Sequence, residues 1–343
     1  MRRRQSVAAL VAVALWGCSG GTSLPDAVSV EVDAPATAAP PPAPECSEAE
    51  AAKDAKDATR SYDPLSPMPT PGGAMPSGSK MEEIAQRGRL IVGISGDTLL
   101  FGSRNPFTGD LEGFDVDMLK EVALAIFGGR YEDVDDDELI EYRVITYAQR
   151  LPALEAGPDN GGVDIVAHTM TINCARWLRI AFSSKYYDAG QKVLVKQDSG
   201  FDDVGQLDAA NARVCAPLGS TNIDEISDAT RYPGLEVVGR ADISDCLVAL
   251  QQGDADAVTG DDTVLAGFVA QDPNTQVVGE TFTEEPYGLG MNADDIDFVE
   301  FVNGVLEDVR SNGRWTEIYE KWLLDTGALD PPAPEPPAAV YGR

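Results

Sequence analysis

Gly162-Val163-Asp164-Ile165-Val166-Ala167-His168-Thr169-Met170-Thr171-Ile172-Asn173-Cys174-Ala175-Arg176-Trp177 is the stretch from which the rest of this chain can be read. Val163 to Ala167 is apolar apart from Asp164, which predicts a short strand buried on both faces. The polar residues His168 to Thr171 leave it as a loop, and Asn173, a favoured N-cap residue, predicts that a helix begins there. Arg176 then falls in the first helical turn, where the macrodipole disfavours a cation. That position points to an anionic partner, and a guanidinium offers a planar fork that fits a carboxylate. Thr169 and Thr171 alternate along the strand exit, so their hydroxyls are expected to aim the same way. Two hydroxyls and a guanidinium on one point would form a carboxylate receptor. Taken alone, the stretch is equally consistent with an ordinary strand-to-helix turn carrying a surface arginine.

The segments on either side extend this pattern. Asp164…Thr169-Met170-Thr171-Ile172-Asn173…Arg176 is followed by Ala181-Phe182-Ser183…Tyr186-Tyr187. Elsewhere stand Gly113-Phe114-Asp115-Val116-Asp117, Gly219-Ser220-Thr221, Asp256-Ala257-Val258…Asp261-Asp262, and a last helix around Trp315 and Trp322. In this order and spacing, residues 80–328 resemble the family 3 extracellular solute-binding proteins, the polar amino-acid-binding lipoproteins of ABC importers. Among these, the chain is most similar to glutamate-, aspartate- and glutamine-binding members from actinobacteria. The resemblance implies an α/β chain in the two-lobed periplasmic-binding-protein (type II) fold, with ligand in the interlobe cleft and a two-strand hinge. Lobe 1 would comprise residues 80–188 and 285–328, and lobe 2 residues 189–284.

With 343 residues the chain is long enough for two domains with cores of their own. Its net charge of −31 argues against nucleic acid or an anionic lipid surface as a partner. Residues 1–17 read as a lipoprotein signal peptide: Met1-Arg2-Arg3-Arg4 is a basic start, and Val7 to Leu15 an apolar run too short to span a bilayer. Leu15-Trp16-Gly17-Cys18 resembles a lipobox with Cys18 as the lipidated residue, although Trp16 stands where a small residue is usual. An extracytoplasmic protein, lipid-anchored to the cell membrane, is the expectation. Residues 18–79 are rich in Ala, Pro and acidic residues and read as a flexible tether, and 329–343 as a disordered Pro-rich tail.

Export places the remaining cysteines, Cys46, Cys174, Cys215 and Cys246, in an oxidising compartment. With no CxxC and one histidine in the chain, no metal site and no cofactor are expected. Three pairings are possible. The lobes implied by the resemblance put Cys215 and Cys246 together, which leaves Cys46 for Cys174.

Strands and helices alternate along the chain, as in a mostly parallel α/β sheet. Leu90–Ile94 and Tyr142–Thr146 read as strands, Asp115–Phe127 as a helix with one apolar face. A second series runs from Gln191 to Ala270, and the chain returns to the first lobe through Pro286 to Gly290 before its last two helices.

The other site residues follow from the resemblance. Gly219-Ser220-Thr221 precedes a helix, so Ser220 and Thr221 would hold the α-carboxylate from the second lobe, a task suited to a helix N-terminus. Asp261 would take the α-ammonium, with Asp262 left to cap the next helix. Arg150 in Thr146-Tyr147-Ala148-Gln149-Arg150 would pair with a side-chain carboxylate, as in glutamate/aspartate-binding members; as a plain reading it is a surface arginine opening a helix. Basic groups found elsewhere in acidic-ligand members are replaced here by Ser95 and Ile243, with Arg104 near enough in sequence to substitute. Leu99 or Phe101 would cover the ligand's aliphatic part, and the His168 carbonyl would meet the ammonium.

The function these residues imply is binding of an acidic amino acid, glutamate or aspartate with glutamine or asparagine as variants, for delivery to an ABC permease, by a monomer. A ligand-sensing lipoprotein serving a membrane signalling partner is the alternative. A dehydratase-like enzyme ranks last, because no nucleophile–His–acid set exists to run a reaction.

Overall fold

A computed structural model of the protein describes Cys46, residues 58–135 and residues 138–343. The expected signal peptide and Cys18 lie outside these residues. Helix α1 (Lys80–Arg87) starts on Ser79, whose hydroxyl accepts the Glu82 amide, and stops on left-handed Gly88. Strand β1 (Leu90–Ile94) is buried throughout. A small hairpin sheet follows, of β2 (Asp97–Thr98), β3 (Gly102–Arg104) and β4 (Leu111–Glu112). Then come α2 (Phe114–Phe127), β5 (Ile140–Val144), α3 (Arg150–Ala156), β6 (Ile165–Ala167), the four-residue α4 (Cys174–Trp177) and β7 (Ile180–Phe182).

Strand β8 (Tyr187–Lys196) leaves for a second sheet with β9 (Arg213–Pro217), β10 (Glu236–Arg240), β11 (Ala257–Asp261) and β12 (Thr275–Tyr287). Its helices are α5 (Val204–Ala209), α6 (Thr221–Ile226), α7 (Ile243–Gln252) and α8 (Asp262–Gln271). The chain then returns to the first sheet as β13 (Gly290–Asn292) and closes with α9 (Ile296–Ser311) and α10 (Arg314–Tyr319).

The first sheet has the order β5-β1-β6-β13-β7 and the second β10-β9-β11-β8-β12. Each carries a separate apolar core: Val92, Phe114, Leu119, Ile165 and Phe298 belong to the first, Leu194, Cys215, Leu250 and Phe268 to the second. Strands β8 and β12 run antiparallel, with Tyr187 opposite Tyr287 where both cross between sheets. The result is the two-lobed type II architecture with a two-strand connection. The alternation in the sequence accounts for the helices packed on each sheet, and the crossings of β8 and β12 divide the chain into the two lobes that the resemblance implied.

Two expectations from composition are corrected. Residues 58–79 do not hang free as part of a tether but lie along the first lobe. The Ser61 hydroxyl donates to the Phe182 carbonyl at 2.8 Å, the Leu65 amide donates to the Glu300 carbonyl, and Met75 is buried. The tail, expected to be disordered, is seated beside them. The Ser61 amide donates to the Val340 carbonyl, Arg310 Nε to the Pro337 carbonyl, and the Tyr341 hydroxyl to Glu307 at 2.5 Å. The Arg343 guanidinium lies 3.7 Å over the Trp177 ring. The segments bind through backbone groups and two cation-bearing side chains, with Tyr62, Leu65, Met68, Met75 and Leu329 packed on the first lobe's core. Cys46 is bonded to Cys174 at the start of α4, and Cys215 of β9 to Cys246 of α7.

Candidate functional site

The loop from β6 to α4 forms one wall of the interlobe cleft. Thr169 sits in the left-handed region at φ 41°, costly for a β-branched residue. It is held there by Asp115 at the start of α2, whose carboxylate accepts the Thr169 amide at 2.8 Å and the Tyr186 hydroxyl at 2.5 Å. Burial pushes the Asp115 carboxyl up to about 6. This twist breaks the alternation expected of an extended chain, so Thr169 and Thr171 do not form a matched pair. Thr171 instead bridges to Tyr287 on β12, and the neighbouring Ile172 amide donates to the Pro286 carbonyl.

Asn173 caps α4 as its residue type predicts, its side chain accepting the Arg176 amide at 2.9 Å. Arg176 Nη1 donates to the Thr171 carbonyl at 2.5 Å, and Nη2 reaches the Gly219 carbonyl of the other lobe at 3.5 Å. Arg150 is 1% exposed and donates only to carbonyls: Tyr147, His168, Thr169 and, across the cleft, Gly219 at 3.0 Å. Neither guanidinium forms an ion pair with a carboxylate among the described residues. Burial lowers the pKa of both, that of Arg150 to about 9, with Arg176 adding repulsion. The Arg150 guanidinium also lies 4.6 Å over the buried Tyr147 ring.

The opposite wall is regular. Ser220 caps α6, accepting the Ile223 amide at 3.1 Å and donating to the Pro217 carbonyl at 2.7 Å. Its hydroxyl is thereby spent inside its own turn, and Thr221 supplies the hydroxyl that faces the cleft. Asp261 ends β11 and holds the N-cap position of α8 without a side-chain cap bond, while Asp262, the first helical residue, accepts the Thr263 amide. The Asp261 carboxylate takes Asn222 Nδ2 at 2.8 Å and the Tyr287 hydroxyl. Burial first, and then the neighbouring Glu285, push Asp261 up to about 7.

Of the other expected site residues, Phe101 and Arg104 stand away from the cleft, while Leu99 and His168 lie where the lobes meet. Phe101 is fully buried among the rings of Phe114, Tyr187 and Tyr287, and so belongs to the core of the first lobe. Leu99 packs against Gly267 of the second lobe. Arg104 is exposed on the hairpin, where it donates to the Gly109 carbonyl, and does not substitute for a cleft cation. The His168 carbonyl accepts from Arg150, and burial and Arg150 drive its ring down to about 3.

Four contributors were not singled out in advance: Glu285, Asn222, Tyr287 and Asp97. Asp97 of the first lobe accepts the Ser244 amide at 3.1 Å and hydroxyl at 2.5 Å at the start of α7. The period of two in Thr283-Glu284-Glu285-Pro286-Tyr287 was the available signal, since it puts Thr283, Glu285 and Tyr287 on one face.

These side chains converge where the two lobes meet. Residues 90–325 match the bacterial extracellular solute-binding proteins, family 3, and the chain belongs to that family. The glutamine-binding protein of an ABC transporter from Bacillus subtilis (strain 168) is 33% identical over 71% of this chain and 85% of its own length. A glutamate-binding protein from Corynebacterium glutamicum is 32% identical over 69% of this chain and 79% of its own. The crystal structure of a mutant arginine-binding protein from T. maritima is 30% identical, covers 71% of this chain and 99% of its own, and superposes with a TM-score of 0.63. The protein is thus an extracellular solute-binding protein rather than an enzyme. Among the described residues no helix is long and apolar enough to cross a membrane.

Proposed function

We propose that the protein binds glutamate or aspartate in its interlobe cleft, as the receptor of an ABC importer anchored to the membrane through Cys18. Arg176, Thr171 and Thr221 would take the α-carboxylate, Asp261 the α-ammonium, and Arg150 the side-chain carboxylate. The observation that carries this reading is a pair of buried guanidiniums facing one cleft with carbonyls as their hydrogen-bond partners. A buried guanidinium with no ion-pair partner within bonding distance is costly, and a ligand with two carboxylates would supply one to each.

Calorimetric titration of the purified protein against the common amino acids tests it. Micromolar glutamate or aspartate binding is expected, with glutamine weaker by about a hundredfold, because an amide leaves a buried charge poorly paired. A preference for glutamine would favour a second reading, a carboxamide ligand. One observation supports that second reading: Arg150 already donates to four carbonyls, so its demand for an anion is partly met.

A further inference from the structure

Glu285 lies in the seat assigned above to the ligand's α-carboxylate. It is 3% exposed and stands on β12, the second of the two strands that cross between lobes. Its Oε2 accepts the hydroxyl of Thr171 from the first lobe at 2.5 Å and the hydroxyl of Thr221 from the second at 2.7 Å. Its Oε1 accepts the Thr283 hydroxyl at 2.6 Å. Arg176 feels the Glu285 charge as its largest favourable interaction, and Asp261 feels it as repulsion. Two residues further on, Tyr287 hydrogen-bonds Asp261 from the same strand face. A single strand therefore presents a carboxylate to the carboxylate half of the receptor and a hydroxyl to the ammonium half.

We infer that Glu285 is a built-in competitor of the ligand: it occupies the carboxylate seat, draws the lobes together without an amino acid, and must be expelled before one binds. Two carboxylates cannot share the Thr171 and Thr221 hydroxyls beside one guanidinium, since like charges at such range repel strongly in a buried site. Because the two hydroxyls come from different lobes, the charge-assisted bonds to Glu285 hold the closed form as a ligand would. The apparent affinity then falls by the fraction of molecules in which the seat is empty. This inference rests on the assignment of Thr171, Thr221 and Arg176 to the α-carboxylate.

The test uses Glu285→Gln, which keeps the shape and removes the charge, and Thr283→Val, which loosens Glu285 from outside the seat. Both are titrated with glutamate and measured by small-angle scattering without ligand. Glu285→Gln should bind about tenfold tighter or more, Thr283→Val by a smaller factor in the same direction, as expected when a competing state holding about nine-tenths of the molecules is removed. The ligand-free radius of gyration should be larger in Glu285→Gln than in the unaltered protein. Equal or weaker glutamate affinity in both variants would overturn the inference, while binding by the unaltered protein would leave the functional reading standing. If no amino acid binds to any of the three, yet Glu285→Gln alone expands, the functional reading fails and the seat of Glu285 as a closing contact stands. An unchanged radius would refute that contact as well.

Discussion

The two walls of the cleft are built from the same kind of turn, a strand end running into a helix start, yet they carry opposite equipment. On the first lobe, β6 leads through a backbone strained at Thr169 to a single helical turn that holds a cation. On the second, β9 leads through Gly219 at φ 82° to a plain Ser220 cap and a helix presenting Thr221. The first wall stores its recognition in charge and strain, maintained by Asp115 and by carbonyl partners. The second contributes neutral donors and an acid, and its Gly219 carbonyl accepts from both arginines of the first wall. One lobe thus carries the cations, and the other the hydroxyl of Thr221 and the acid of Asp261.

The largest effect should come from the charged wall. Arg176→Ala is expected to stay folded and lose about 2–5 kcal/mol of amino-acid binding, enough to take a micromolar affinity toward millimolar. Micromolar binding by this variant in titration would break the comparison, because it would mean that the first wall does not supply the carboxylate's counter-charge.

Next comes the meeting point. A Cβ on Gly219 would lie 2.7 Å from Ala148 Cα, and the residue's positive φ already disfavours any side chain. Gly219→Ala should weaken binding by about tenfold to a hundredfold, in line with ~1–3 kcal/mol of local strain. It should also give a larger ligand-bound radius of gyration. An unchanged affinity would show that the lobes need not approach so closely.

The acid of the second wall sharpens the comparison through pH. Asp261 is raised to about 7, so its protonated form is favoured below neutrality, whereas an ammonium needs the anion. Binding should therefore weaken as pH falls below 7, by up to about tenfold per unit for one proton, and release protons near pH 6. Asp261→Asn should bind weakly and show no such slope. Calorimetry in buffers of different ionisation enthalpy measures the proton count, and a flat profile in the unaltered protein would remove Asp261 from the ammonium site.

The smallest effect concerns a contact outside the seat. Asp97→Ala removes the two interlobe bonds to Ser244 and should weaken every amino-acid ligand alike by about threefold to tenfold, from ~0.5–1.5 kcal/mol of net hydrogen bonding. A change in the ranking of ligands would instead mean that Asp97 reads the ligand side chain.

Much of this molecule could be derived from residue order. The alternation of strand and helix, the cap at Asn173 and the place of Arg176 in the short helix after it are local properties. They depend on residues within a few positions of one another, where backbone geometry fixes directions. What each side chain meets was decided by tertiary structure. Thr171 and Glu285 are 114 residues apart in sequence, and the β12 crossing alone brings them together. Arg150 spends its donors on carbonyls of three separate segments, Phe101 turns into the core, and the proline-rich tail finds backbone partners on the first lobe. A guanidinium or carboxylate in the sequence states a demand for a partner. Which of several chemically equivalent partners answers it depends on where distant strands lie, and no local pattern encodes that.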